Sequence, residues 1–146
     1  MLEAAERVLA GDPSASMEQI AEAAGLTRIT VHRRFANRQS LIDALSLGAK
    51  QQLADAIEEA RPESAPALVA LYRVTANVLR VKRAWRYTLG STAMHTPAAA
   101  ALWADINVRT MDLLVRAQRE GLLDPAADLE WVRRGTARLS PQRTVG

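Results

Sequence analysis

The chain has no cysteine among its 146 residues, which excludes disulfides, thiolate metal sites and cysteine nucleophiles together. Histidine is almost as scarce, with only His32 and His95. The sequence also lacks a glycine-rich phosphate loop, a Gly-x-Ser-x-Gly stretch and any paired-carboxylate or metal-ligand spacing. No catalytic constellation can be assembled from what remains, so no enzyme activity, metal or cofactor is expected. No apolar run approaches the roughly 18 residues that a membrane-spanning helix needs. The opening Met-Leu-Glu-Ala-Ala-Glu-Arg has acids where a secretory signal needs a basic start and an apolar run, so a cytoplasmic location is expected. Aromatics make up only 4% of the chain, and no segment alternates β-branched with polar residues, which removes the usual signature of strands.

Acidic residues are missing from one place in particular. Between Ala23 and Ile42 there is no Asp or Glu, while Arg28, Arg33, Arg34 and Arg38 all fall inside that window. The net charge of +3 is modest, so the distribution carries the information. Further basic runs lie at Arg80, Lys82, Arg83 and Arg86, and at Arg133, Arg134 and Arg138.

What is present is rich in Ala, Leu, Glu and Arg and reads as helix throughout. With 49% hydrophobic and 24% charged residues, the composition supports a folded core. Leu2, Ala5, Val8 and Leu9 give a first helix one apolar face, which Gly11-Asp12-Pro13 ends. Ser16-Met17-Glu18-Gln19 has the form of a capping box opening a second helix. Gly25 permits a tight turn, and Thr27 is a suitable cap for a third helix beginning at Arg28. Asn37 caps a longer helix whose stripe of Leu41, Ile42, Leu45, Ala49, Leu53, Ala56 and Ile57 runs to Arg61-Pro62. Leu68, Leu71, Thr75, Val78 and Leu79 mark another, followed by a less regular piece from Trp85 to His95. Thr96-Pro97 opens the next helix and Gly121 closes it. A last helical piece is expected from about Asp128 to Leu139.

At about 100° per residue, the third helix puts Val31 and Phe35 on one side and Ile29 and Arg33 on the other. Thr30 and His32 flank the outward face. Apolar anchors on one side with basic and polar residues on the other are what reading a DNA major groove requires. Arginine can fork onto guanine or grip phosphate, and threonine or isoleucine can touch a thymine methyl. The less specific reading is a solvated basic face on a three-helix core.

Residues 2 to 45 closely resemble the DNA-binding head of the tetracycline-repressor-like (TetR) family. The resemblance rests above all on Ser16-Met17-Glu18-Gln19-Ile20-Ala21-Glu22-Ala23-Ala24-Gly25-Leu26-Thr27, on Thr30-Val31-His32-Arg33-Arg34-Phe35 and on Asn37-Arg38-Gln39-Ser40-Leu41. It implies an all-α architecture: a three-helix head with a helix-turn-helix over residues 1–45, a helical ligand-binding and dimerisation body over 46–139, and a disordered tail at 140–146. It implies a ligand-responsive repressor that binds a palindromic double-stranded operator as a homodimer and answers to a small-molecule inducer. Carried over by position, Ser16 and Arg38 hold phosphates, Thr27 caps the recognition helix, and Arg28, Ile29, Thr30 and Arg33 lie nearest the bases. His32 stands where the family commonly has a phosphate-binding tyrosine, and Ile29 where the residue is usually small. The chain also starts almost at its first helix and is shorter than members commonly are, ending within the first of the two helices they use to pair.

In the body, Tyr72, Asn77, Trp85, Met94, His95 and Trp103 occupy the part where the family places its inducer pocket. The competing reading of each is ordinary core or surface. An alternative for the whole chain is a shortened helical interaction module, or a non-specific DNA-binding protein without inducer sensing.

Overall fold

The computed structural model describes residues 1–90 and 96–138, with side chains through residue 134. The described residues form eight α-helices and one 3₁₀ turn: α1 (Leu2–Gly11), α2 (Met17–Ala23), α3 (Arg28–Arg34), α4 (Arg38–Ala60), the turn Pro62–Ser64, α5 (Ala67–Ala84), α6 (Arg86–Gly90), α7 (Pro97–Arg119) and α8 (Leu129–Arg138). There is no strand among them, and the fold is the expected all-α arrangement of a helix-turn-helix head on a helical body.

The helix ends follow local chemistry. The Ser16 hydroxyl accepts the Gln19 amide at 3.1 Å, and the Ser16 amide donates to Gln19 Oε1 at 2.7 Å, completing the capping box. α2 closes at Gly25, whose φ of +67° is left-handed. The Gly25 amide donates to Glu22 O at 3.0 Å and the Leu26 amide to Ala21 O at 2.9 Å, the paired bonds of a Schellman ending. Asn37 Oδ1 accepts the Ser40 amide at 2.8 Å, and the Thr96 hydroxyl accepts that of Ala99 at 3.2 Å. Asp128 Oδ1 accepts the amides of Glu130 and Trp131 at the start of α8.

α4 is the backbone of the molecule. At 23 residues it is about 34 Å long and runs unbroken across residue 45. Leu41 and Leu45 pack in the head with Ala5, Leu9, Ala15 and Ile20, while Leu53, Ala56 and Ile57 pack in the body with Val81, Trp85 and Ile106, all within one continuous apolar cluster. α5 and α7 lie against the second half of α4. On α5 the buried residues are Ala67, Ala70 and Val81, with Val74 and Val78 against the core, and Leu68 faces outward. Small alanines on that face let α5 approach its neighbours closely.

Two arginines hold the connections. Arg38 Nη1 donates to Ala15 O and Nη2 to Pro13 O at 2.6 Å, tying the α1–α2 loop to α4. Arg116 Nη2 donates to Pro62 O at 2.6 Å and Ala65 O at 2.8 Å, and Glu120 Oε2 accepts the Ala67 amide at 3.2 Å. α7 therefore fixes the α4–α5 connection, where Arg61 adopts a left-handed φ of 45°.

The stretch expected to be irregular after Trp85 contains α6 instead. Its first amides are satisfied by an acid from another part of the chain: Glu6 on α1 accepts Tyr87 N at 2.7 Å and Thr88 N at 3.1 Å. A cap supplied from 81 positions away leaves no local signature. Met94, His95 and the tail at 140–146 lie outside the described residues.

Candidate nucleic-acid interface and body cavity

α3 is a short helix held from both sides. Thr27 caps it, its hydroxyl accepting the Thr30 amide at 3.2 Å and lying 2.9 Å from the Thr30 hydroxyl. Val31, 1% exposed, pins the helix to the head core, and Phe35 packs partly buried against the same cluster. The opposite face is open: Ile29 is 67% exposed, and Arg28, His32, Arg33 and Arg34 are exposed as well. Ile29 thus stands in solvent beside three arginines and a histidine.

Two of the anticipated contact arginines also have partners within the chain. Arg28 Nε lies 3.3 Å from Glu18 Oε1, an exposed pair between α3 and α2 whose contribution to stability is small in water. Arg38 is half-buried, and both terminal nitrogens of its guanidinium are engaged by the carbonyls of Pro13 and Ala15. Its direct effect is to position the loop that carries Ser16, which is exposed at the start of α2. Asp12 in the same loop has its carboxyl held below the usual range, chiefly by hydrogen bonds from the Ser14 hydroxyl and amide, with a smaller contribution from Arg38.

The body contains a cavity of about 150 Å³ between α4, α5, α7 and α8. Leu53, Ile57, Val74, Val78, Ile106 and Leu114 supply apolar wall, and Trp103 closes part of it. Its polar lining is Thr75, Lys82, Asn107, Thr110 and Arg133. The Thr110 hydroxyl donates to Ile106 O at 2.8 Å, and Arg133 Nη1 donates to Asn107 Oδ1 at 2.9 Å. Arg133 also pairs with Glu130 one turn earlier on α8, which raises the arginine's pKa and lowers the glutamate's. Burial pushes the Lys82 ammonium below the ordinary lysine range.

Of the body residues singled out in the sequence, Trp103 lines this cavity. Tyr72 is 76% exposed and borders a shallow groove with Leu68 and Leu71. Asn77 Nδ2 donates to Ala56 O at 3.0 Å, bonding α5 to α4. Trp85 is buried in the main apolar cluster. Lys82, Asn107 and Arg133 were not anticipated as lining. The available signal was spacing: Thr75, Val78 and Lys82 are three and four positions apart on α5, as Trp103, Asn107 and Thr110 are on α7. The second basic run divides accordingly, Lys82 turning to the cavity while Arg80 pairs with Glu59 at 3.3 Å in solvent.

Comparison with known proteins is consistent with this geometry. Residues 1–45 match the family described as bacterial regulatory proteins, tetR family. The HTH-type transcriptional repressor LfrR of Mycolicibacterium smegmatis is 43% identical over 79 residues, covering 54% of this chain and 42% of that protein. The TetR-like regulator LfrR from Mycobacterium smegmatis, solved in complex with proflavine, is 30% identical, with a TM-score of 0.60 over 92% of this chain and 74% of that one. The TetR family regulator PfmR from Thermus thermophilus, 20% identical, superposes with a TM-score of 0.72 over 92% of this chain and 78% of that one. The last likeness is one of fold.

Proposed function

This chain belongs to the tetR family of bacterial regulatory proteins, and from that premise we propose that it is a transcriptional repressor whose head reads a double-stranded operator. The observation that carries this reading is the outward face of α3: Ile29 and Arg33 stand in solvent on a helix that Thr27 caps and Val31 anchors. A helix so held presents its side chains to the major groove without further ordering, and preorganisation lowers the cost of binding. Arg28, Ile29, Thr30 and Arg33 face the bases in this reading, Ser16 and His32 reach phosphates, and Arg38 acts at the edge of the phosphate contacts while it holds the α1–α2 loop. The window from Ala23 to Ile42 holds no acid, which favours approach of the phosphates, and the exposed Glu18 contact gives up Arg28 when that arginine engages the DNA.

The body, from about residue 46 onward, is the effector-binding part in this proposal, with its site in the cavity between α4, α5, α7 and α8. The LfrR complex with proflavine supports a small-molecule ligand for the body. The active species is a homodimer in the cytoplasm on a palindromic operator, each head taking one half-site. No helix among the described residues is long and apolar enough to cross a membrane.

Selection of bound sites from a random duplex pool at physiological salt, with molar mass recorded on the same preparation, tests the proposal. Enrichment of an inverted repeat by a dimer supports it. Failure to enrich any sequence, with binding that fades steeply as salt rises, replaces operator reading by non-specific phosphate attraction.

A further inference from the structure

A groove of about 630 Å³ lies where head and body meet, between α1 and the run from the end of α5 into α6. Val81 and Trp85, both buried, give it an apolar base. Four exposed arginines line it as well: Arg7 from α1, Arg80 and Arg83 from α5, and Arg86 at the start of α6. Acids do not balance them. Glu3 and Glu6 are the acids of the lining, and the Glu6 carboxyl, 1% exposed, is already taken by the amides of Tyr87 and Thr88 and by the Thr88 hydroxyl. Arg80 pairs in solvent with Glu59. Among the described residues, Arg7, Arg83 and Arg86 form no ion pair. α5 itself carries no acid over its 18 residues.

We propose that this groove binds a small anion bearing two or more phosphoryl groups, held by Arg7 from the head and by Arg83 and Arg86 from the body. A guanidinium presents a planar fork of N–H donors that matches phosphate oxygens two at a time. Several phosphoryl groups in one molecule engage arginines on different helices together, whereas a single phosphate reaches fewer of them. The groove is of a size that takes a metabolite. An anion there also offsets the mutual repulsion of the guanidinium groups, while a cation meets an excess of its own charge.

The location gives the site a consequence. Arg7 belongs to the head and Arg83 and Arg86 to the body, so an occupant touching both sides adds a link beside the contact of Glu6 with α6. Occupancy therefore favours this arrangement of head and body over any in which the junction opens.

Tripolyphosphate and orthophosphate, titrated calorimetrically into the full chain at physiological salt, test the proposal. The variants are Arg83→Gln combined with Arg86→Gln, Arg7→Gln alone, and Arg33→Gln combined with Arg34→Gln, the last measuring attraction of anions by α3. All five side chains are exposed, and a melt of each preparation without ligand establishes that it is folded. The expected result is one tripolyphosphate per chain, bound at least about tenfold more tightly than orthophosphate; the Arg83/Arg86 variant loses about tenfold or more and Arg7→Gln about threefold or more. The Arg33/Arg34 variant keeps the affinity of the parent. Absence of binding, or tripolyphosphate no tighter than orthophosphate, overturns the site. So does a loss confined to the Arg33/Arg34 variant, which puts the anion on α3, and so does an equal loss in every variant, which reduces the effect to net charge.

Discussion

The carboxyl group of Glu6, on the first helix of the head, accepts the main-chain amide of Tyr87 on the first turn of α6 at 2.7 Å. The same group accepts the Thr88 amide at 3.1 Å and the Thr88 hydroxyl. Glu6 is 1% exposed, so these are bonds that water cannot replace without opening the junction between head and body. A buried acid spent on the start of a five-residue helix links the position of α1 to that of α6.

Glu6→Ala removes the acceptor and strands the amides of Tyr87 and Thr88. Leaving buried donors unpaired costs about 2–4 kcal/mol for a group of this kind, read as a lower urea midpoint. Glu6→Gln keeps one acceptor oxygen and falls between the two. A midpoint unchanged in Glu6→Ala would falsify the clasp as a stabilising contact.

Arg33 and Arg38 separate by their surroundings. Arg33→Ala removes an exposed side chain and leaves stability within about 0.5 kcal/mol, while changing which base pairs a site selection enriches. Arg38→Ala frees the carbonyls of Pro13 and Ala15, lowers stability by about 1–2 kcal/mol, and weakens binding to all duplexes about equally. Quantitative binding to variant operators, paired with thermal melts, distinguishes the two; identical effects across sequences would refute the division of roles.

Gly25 and Gly121 offer a test of backbone chemistry with little interference from packing. Both have left-handed φ, +67° and +77°, and a Cβ built on either meets nothing within 4 Å. Substitution by alanine therefore costs only the conformational term, about 1–2 kcal/mol. Gly25→Ala is expected to impair DNA binding in addition, because it alters the turn that sets α3 against α2, whereas Gly121→Ala is expected to reduce stability alone. Gly25→Asn recovers part of the loss, since asparagine tolerates this region better.

Lys82 makes the stability depend on alkaline pH in a definite sense. Its pKa in the folded chain lies below the ordinary value because burial disfavours the ammonium, so the unfolded chain binds the extra proton more readily. Between the lowered folded value and the ordinary one near about 10.4, stability contributed through this group rises with pH. Below that window the full penalty is present. The stability of the parent relative to Lys82→Met is expected to rise as pH climbs through the window. A difference that stays constant from neutral to alkaline pH would count against burial as the cause.

Much of the head was legible because its instructions are local. Ser16 with Gln19, Gly25, Thr27 and Asn37 are caps and turns whose partners lie within a few residues, and Val31 with Phe35 against Ile29 with Arg33 follows from helical period alone. The same locality identified Thr96-Pro97 and Gly121 as the ends of α7. The body was less legible. Tyr72, Asn77 and Trp85 drew attention as large or polar side chains, yet their surroundings depend on how α5 is rotated against α4 and α7, and that rotation is fixed by Arg116 and Glu120 reaching back from α7.

The sequence by itself determined the helical class, the order and ends of most helices, and which side of α3 faces solvent, because hydrogen bonds and apolar periodicity within a single helix act over three or four residues. Only the tertiary structure decided that Arg38 clasps a loop, that Glu6 caps α6, and that Lys82, Asn107 and Arg133 meet around one cavity. Those partners are brought together by packing between helices distant in the chain, and side-chain contacts across such distances have no period for the sequence to display.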